Sequence, residues 1–470
     1  MSEHFDLVVI GGGSAGGEAG RRAALEHGAR VAVIERKRWG GECGSVACKP
    51  TKQYAAAADL LNDIRSVGGD LGIETGTVSF DLAALNARKD WLIGSPERWR
   101  ARFGVEGMTQ IDGEAMIVGA GTVKVGDRVL TTERILVATG SRVAVPPVAG
   151  LTEIAWLDNE AALNLTETPG AMLVIGAGAV GLEFGQMFAR FGSTVTIVSS
   201  SPTIAGRADH EAADALAGAL RAEGIAVLTG STVRSVARAE GGRITAELDV
   251  DGESRTVVVD EVLVASGRRP NVEGFGLEEL GVEVGPQGIV VDEAQRTSVA
   301  GIWAIGDAVA TPQLTPIAAY EGQVAVSDMF GSGVRRSDLT AVPWAIFTDP
   351  EITGTGLTER DAEAQGFEVE TSVLPAANLL RPFYTAPRDG EVHGLIKLVY
   401  ERDSHRVLGM HAVLRGAAEF IQGFAAAIRL GLTIEDLAYG HYAFPTAAEG
   451  VHYAAEAVLE REGLGVTGRV

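Results

Sequence analysis

Only two cysteines occur in this chain, five positions apart in Gly41-Glu42-Cys43-Gly44-Ser45-Val46-Ala47-Cys48-Lys49-Pro50-Thr51-Lys52. A thiolate is a nucleophile, and two thiols at this spacing beside a helix start can close a small disulfide that carries two electrons. The positive end of the helix then stabilises the thiolate left by reduction. A secreted disulfide scaffold spreads many cysteines over a short chain; an isolated pair in 470 residues suits a redox centre in a reducing compartment. The competing reading is a buried, inert pair, and the rest of the sequence must decide between them.

Two glycine-turn units supply the context. In the first, the apolar run Leu7-Val8-Val9-Ile10 reads as a buried parallel strand, followed by Gly11, Gly13, Ser14 and Gly16. A helix through Leu25 is expected, ended by Gly28, then the strand Val31-Ala32-Val33-Ile34 with Glu35 at its tip. Gly11 permits the tight turn, Gly13 lets backbone N–H groups approach a pyrophosphate, and Gly16 lets helix and strand pack closely. The helix N-terminus faces the phosphates, and Glu35 is placed for a ribose hydroxyl. The second unit repeats this with Leu173-Val174-Ile175, Gly176, Gly178 and Gly181, a helix to Arg190, Gly192, and Val195-Thr196-Ile197-Val198. Two such units imply two dinucleotide sites in one chain.

The copies differ at one informative place. Seven residues beyond the helix-ending glycine stands Glu35 in the first but Ser199 in the second. A carboxylate there binds the free 2′-hydroxyl of NAD and repels the 2′-phosphate of NADP. Ser199, Ser200 and Ser201 carry no such charge and Arg207 is near in sequence, so NADPH is expected, with NADH possible. The serines could equally line a loop and leave both cofactors acceptable.

Further strands are expected at 134–140, 262–267 and 301–307, the last bringing Asp307 to a strand's carboxyl end. From about Val342 the pattern changes to alternating strands such as Leu395–Tyr400, with helices at 416–430 and 447–461. Net charge is −22, which repels nucleic acid and anionic membranes. No uncharged apolar run approaches the ~20 residues needed to cross a bilayer. The N-terminus shows no basic signal-peptide region, so the cytoplasm is the expected compartment.

Taken together, these residues resemble the class I pyridine-nucleotide–disulfide oxidoreductases over essentially the full length. The segment from Gly40 to Lys52 is similar to the family's GGxCxxxxCxPxK redox motif. The resemblance implies an α/β fold: two Rossmann-like FAD- and NAD(P)-binding domains plus a C-terminal α+β dimerisation domain. The expected division is 1–150 (FAD, with the redox disulfide), 151–270 (NAD(P)), 271–341 (FAD, second part) and 342–470 (dimerisation). It also implies FAD as cofactor, a homodimer, and Cys43 as the interchange thiol that meets substrate. Cys48 would form the thiolate–flavin charge-transfer pair, and Lys52, paired with Glu183, would sit near the flavin. Ala138-Thr139-Gly140 and Gly306-Asp307 look like two further FAD contacts, Asp307 on the ribitol chain. Gly267-Arg268-Arg269-Pro270-Asn271 resembles the family's GRxPN turn, and 347–351 its dimerisation-domain opening.

One position departs from the pattern. The family's C-terminal H-P-T-x-x-E reads Phe444-Pro445-Thr446-Ala447-Ala448-Glu449 here. The histidine, supplied by the partner subunit and oriented by the glutamate, serves as base for the interchange thiol; Phe444 can neither take nor give a proton. His441 and Tyr442 do not occupy the matching position. The resemblance therefore leads to an enzyme that passes electrons from NAD(P)H through flavin to Cys43–Cys48 and on to a disulfide or other small thiol compound. Alternatives are a quinone or metal-ion reductase that needs no base, or thiol-driven C–S cleavage similar to 2-ketopropyl-coenzyme M carboxylase, which also has phenylalanine there. A non-enzymatic, redox-sensing flavin protein is the last. The sequence ending at 463–470 lacks the extra cysteine pair of mercuric reductases, and Glu449 with the Cys48-to-Lys52 ending departs from the carboxylase.

Overall fold

The runs Leu7–Ile10 and Val31–Glu35 form parallel strands in register, Leu7 opposite Val31 and Ile10 opposite Ile34. All four residues of the first are buried, as a strand covered on both faces demands. The computed structural model describes residues 2–331, 333 and 335–464, so the cysteine-free segment noted at the C-terminus lies largely outside the described residues. The chain divides into two compact units, each assembled from three separate segments.

The first unit comprises Met1–Thr51, Asn86–Ala144 and Gly267–Asp338. Its centre is a five-stranded parallel sheet in the order Ile302–Ala304, Ile135–Val137, Leu7–Ile10, Val31–Glu35, Met108–Asp112. The Ser14–His27 helix leaves the first strand through the glycine turn, and Gly28 ends it in the left-handed conformation at φ 64°. One face of the sheet packs Leu7, Val9, Val31 and Val33 against Ala19, Ala23, Trp99 and Phe103. The other packs Val8, Ile10, Ala32 and Ile34 with the Ala115–Gly119 and Thr122–Val125 strands.

The second unit comprises Lys52–Leu85, Val145–Ser266 and Leu339–Val470. A four-stranded parallel sheet runs Ala226–Leu228, Thr194–Val198, Ala171–Ile175, Glu261–Val264. The Ala179–Phe191 helix follows its glycine turn. A five-stranded antiparallel sheet holds Leu395–Glu401 and Val407–Leu414 at its middle. The expected mixed α/β fold is present, with the repeat's boundaries met to within two residues. The Leu395–Glu401 strand, however, is not half-solvated: its first six residues are buried, and Lys397 among them is met by Asp209, Glu211 and Glu359 at 3.0, 2.8 and 2.5 Å. The ion pairs compensate a charge that burial alone would make costly.

Candidate active site

The two glycine turns share their backbone. Gly11 and Gly176 both lie at φ 114°, where a side chain is strained, and a Cβ would meet Ala138 O at 2.1 Å and Ala265 O at 2.3 Å. At Gly16 and Gly181 a Cβ would meet the carbonyl of Gly11 at 2.1 Å and of Gly176 at 1.9 Å. Both following helices start at a glycine, Gly13 or Gly178, with no side-chain cap. Their first N–H groups are left for an anion.

In the first unit that helix start opens on a cleft of about 560 Å³, lined by Gly11, Gly13, Ser14, Glu35, Thr139, Gly140, Asp307 and Cys43. Glu35 is held by main-chain N–H groups: Gly12 donates to one oxygen at 2.8 Å, Lys37 and Arg38 to the other at 2.7 and 3.1 Å. Thr139 donates to the Asn271 carbonyl at 2.6 Å, and the Asn271 amide returns a bond to the Thr139 carbonyl at 3.0 Å. Arg268 and Asn271 therefore line the cleft while Gly267, on the same turn, does not. Uncapped N–H donors, a braced carboxylate at Glu35 and a second at Asp307 suit a dinucleotide with a polyhydroxyl chain, so these residues fit FAD.

The cysteine loop borders this cleft. Gly41–Ser45 forms one helical turn and Cys48 begins the Cys48–Ser66 helix, so Cys48 stands at a helix N-terminus. Cys43 is half-buried and Cys48 exposed; the Cys48 sulfur is 3.7 Å from the Thr315 hydroxyl. A network that sequence reasoning missed ties the loop to Asp307. Glu42 pairs with Arg268 at 2.5 Å, Arg268 Nε donates to Ser141 Oγ at 2.6 Å, and Ser141 donates to Asp307 at 2.7 Å. Beneath the same turn, buried Glu321 accepts from Gly306 N–H and the Thr311 hydroxyl, both at 2.7 Å. Burial pushes its pKa up to about 7 against those two bonds.

In the second unit, Glu183 lies on the glycine-turn helix and is 5% exposed. One of its oxygens accepts from Lys52 Nζ at 2.6 Å and the other from the Phe347 N–H at 2.9 Å. The expected Lys52–Glu183 pair is thus formed, with the ammonium 4.4 Å from the Phe347 ring centroid. Ser199 is half-buried; its hydroxyl accepts from Ser201 N–H at 3.3 Å. Arg207 is exposed, with no ion pair among the described residues.

The C-terminal signature separates its two ends. Phe444 is 74% exposed and Glu449 4% exposed. Burial raises the Glu449 pKa, opposed by a hydrogen bond from the Thr446 backbone N–H to its carboxylate and by His452 nearby. His441 is exposed.

Two nucleotide-type sheets with uncapped glycine-turn helices, and a cysteine pair at a helix start, define a class: oxidoreductases that join two dinucleotides to a dithiol. Sequence comparison agrees, since the description "Pyridine nucleotide-disulphide oxidoreductase" matches residues 5–322 and the family's dimerisation domain matches 342–455. The chain belongs to the pyridine nucleotide-disulphide oxidoreductase family and is an enzyme of that kind, using FAD and a pyridine nucleotide. Mercuric reductase of Staphylococcus aureus is 35% identical over 454 residues, 96% of this chain and 82% of that one. Dihydrolipoyl dehydrogenase of Cupriavidus necator is 32% identical over 477 residues, 98% and 99% of the two chains. The Cu(II) complex of the HOCl-induced flavoprotein disulfide reductase RclA from Escherichia coli superposes with a TM-score of 0.85 at 26% identity, covering 97% of this chain and all of that one. Among the described residues, no helix is long and apolar enough to cross a membrane.

Proposed function

We propose that this enzyme draws electrons from NADPH and delivers them at Cys43 to a small-molecule acceptor, a disulfide or other thiol compound. Bound FAD supplies the two-electron relay between nicotinamide and the Cys43–Cys48 disulfide. Gly13 and Ser14 offer N–H groups to its pyrophosphate, Glu35 its ribose partner, and Thr139, Gly140 and Asp307 further contacts. Glu183 fixes the Lys52 ammonium for work beside the flavin. On the acceptor side the Cys43 thiolate attacks one sulfur, the acceptor's S–S bond breaks, and one thiolate leaves. Cys48 then attacks the mixed disulfide, releases the second thiol and restores the Cys43–Cys48 bond. Two electrons have moved, and the departing thiolates need protons that Phe444 cannot give.

The observation that carries this reading is the cysteine loop on the wall of the cleft that fits FAD. Stopped-flow reduction by NADPH tests it: a long-wavelength charge-transfer band that vanishes in Cys48→Ser is expected, and its absence from the wild type would refute the reading. NADPH is favoured over NADH because Ser199, with Arg207 exposed beyond it, replaces the carboxylate.

A soft metal ion is the second reading, favoured by Phe444: a thiolate-bound cation accepts electrons without a proton on a leaving group. The names mercuric reductase and Cu(II) complex among its relatives point the same way. Reduction of Hg(II) or Cu(II) faster than of glutathione disulfide by the same preparation would decide for it. The division at 150, 270 and 341, a homodimer through residues 342–470 and a cytoplasmic location complete the proposal.

A further inference from the structure

The Pro96–Phe103 helix turns Trp99 inward and leaves Arg98 and Arg102 exposed. Trp99 lies across the cysteine loop: a Cβ at Gly40 would fall 2.9 Å from its Cδ2, and one at Gly44 2.9 Å from its Cη2. One ring therefore touches backbone on both sides of Cys43. The same ring carries the Lys49 ammonium 4.0 Å from its centroid and the Arg102 guanidinium at 5.6 Å. Its indole N–H is buried without an acceptor among the described residues, so the ring acts by packing and by its π-face.

The charges around the loop do not cancel. Glu42 is neutralised by Arg268. Glu97, exposed at the helix start, turns to Ser95. Thr315, beside Cys48, is neutral. Lys49, Arg98 and Arg102 have no carboxylate partner among the described residues. A local excess of cations remains, in a chain whose net charge is −22. Burial holds Lys49 below the ordinary lysine range and Arg102 adds to that, while Cys43 and, less strongly, Cys48 pull the other way.

We propose that Lys49, seated with Arg102 on Trp99, is a positioning residue that keeps positive charge on the redox loop and stabilises the thiolates of Cys43 and Cys48. It supplies, from within the chain, the charge that an imidazolium at position 444 would bring. The proposal rests on the reading of Cys43 as interchange thiol, and the test separates the two.

The full-length holoenzyme is reduced and alkylated with iodoacetamide from pH 5 to 10, and the labelled cysteine is located by peptide mass spectrometry. Lys49→Met raises the pKa of the labelled thiol by about half to one unit, a three- to tenfold loss of rate at pH 6.5. Lys49→Arg restores it, and high salt narrows the difference. Arg102→Gln, on the exposed side of its helix, acts in the same direction by about half as much and decides alone should Lys49→Met not fold. An unchanged thiol pKa in the folded variants overturns the proposal. Labelling of Cys48 before Cys43 refutes the interchange assignment instead, while the response to Lys49 still reports on the charge.

Discussion

Removing the Glu183 carboxylate should loosen the segment it holds by an amount the geometry sets. The group is almost fully buried and accepts two bonds, from the Lys52 ammonium at 2.6 Å and from the Phe347 N–H at 2.9 Å. A bond to a charged group contributes roughly 1.5–3 kcal/mol, and an N–H left without an acceptor costs roughly 1–3 kcal/mol, the low end applying to the part-buried Phe347 N–H. The Lys52 side chain is 35% exposed, so solvent screens that bond and the lower half of its range applies. Glu183→Ala should therefore cost about 3 kcal/mol locally, and Glu183→Gln, which keeps one acceptor oxygen, about half of that. Hydrogen exchange read by mass spectrometry on the peptide containing Phe347 measures this directly: about 3 kcal/mol is a loss of protection of roughly 100-fold. A double-mutant cycle with Lys52→Met should return a coupling of about 1–2 kcal/mol. Protection within threefold of wild type in Glu183→Ala, or strict additivity in the cycle, would refute the reasoning.

Three further outcomes are expected. Phe444→His, which restores the H-P-T-x-x-E pattern, should raise turnover of glutathione disulfide or lipoamide by about a hundredfold, measured as NADPH oxidation; brisk wild-type turnover left unchanged by the substitution would remove the argument that a base is missing. Ser199→Glu should slow flavin reduction by NADPH about tenfold or more and spare NADH, through charge repulsion at the 2′-phosphate; a wild-type preference for NADH in stopped flow would sink the nucleotide assignment. Glu321 keeps its proton to about pH 7 in the fold but loses it near 4.5 in the unfolded chain. Between those values the native state binds more protons, so stability falls as pH rises from 4.5 to 7, by up to ~3 kcal/mol, and is level above. Denaturant midpoints of wild type and Glu321→Gln across that range should diverge, with the slope absent from the variant; parallel profiles would show that Glu321 is ionised throughout.

Much of the fold was legible because its signals are short-range. A buried parallel strand needs an unbroken apolar run, a tight turn needs glycine where φ is positive, and both lie within a few residues at 7–16 and 173–181. The same locality makes the helix ends at Gly28 and Gly192 readable. It also places Cys48 at a helix start. What the tertiary structure alone decided is the company these groups keep. Glu42, Arg268, Ser141 and Asp307 form one network although they come from four distant stretches of chain. Trp99 crosses the cysteine loop from a helix about fifty residues away and brings Arg102 to the ring that holds Lys49. Lys397, in a strand that reads as alternating, is buried only because Asp209, Glu211 and Glu359 converge on it. Backbone sterics and side-chain periodicity are written into adjacent residues, whereas desolvation and Coulomb energy depend on which groups folding brings within a few ångströms, and no window of sequence contains that information.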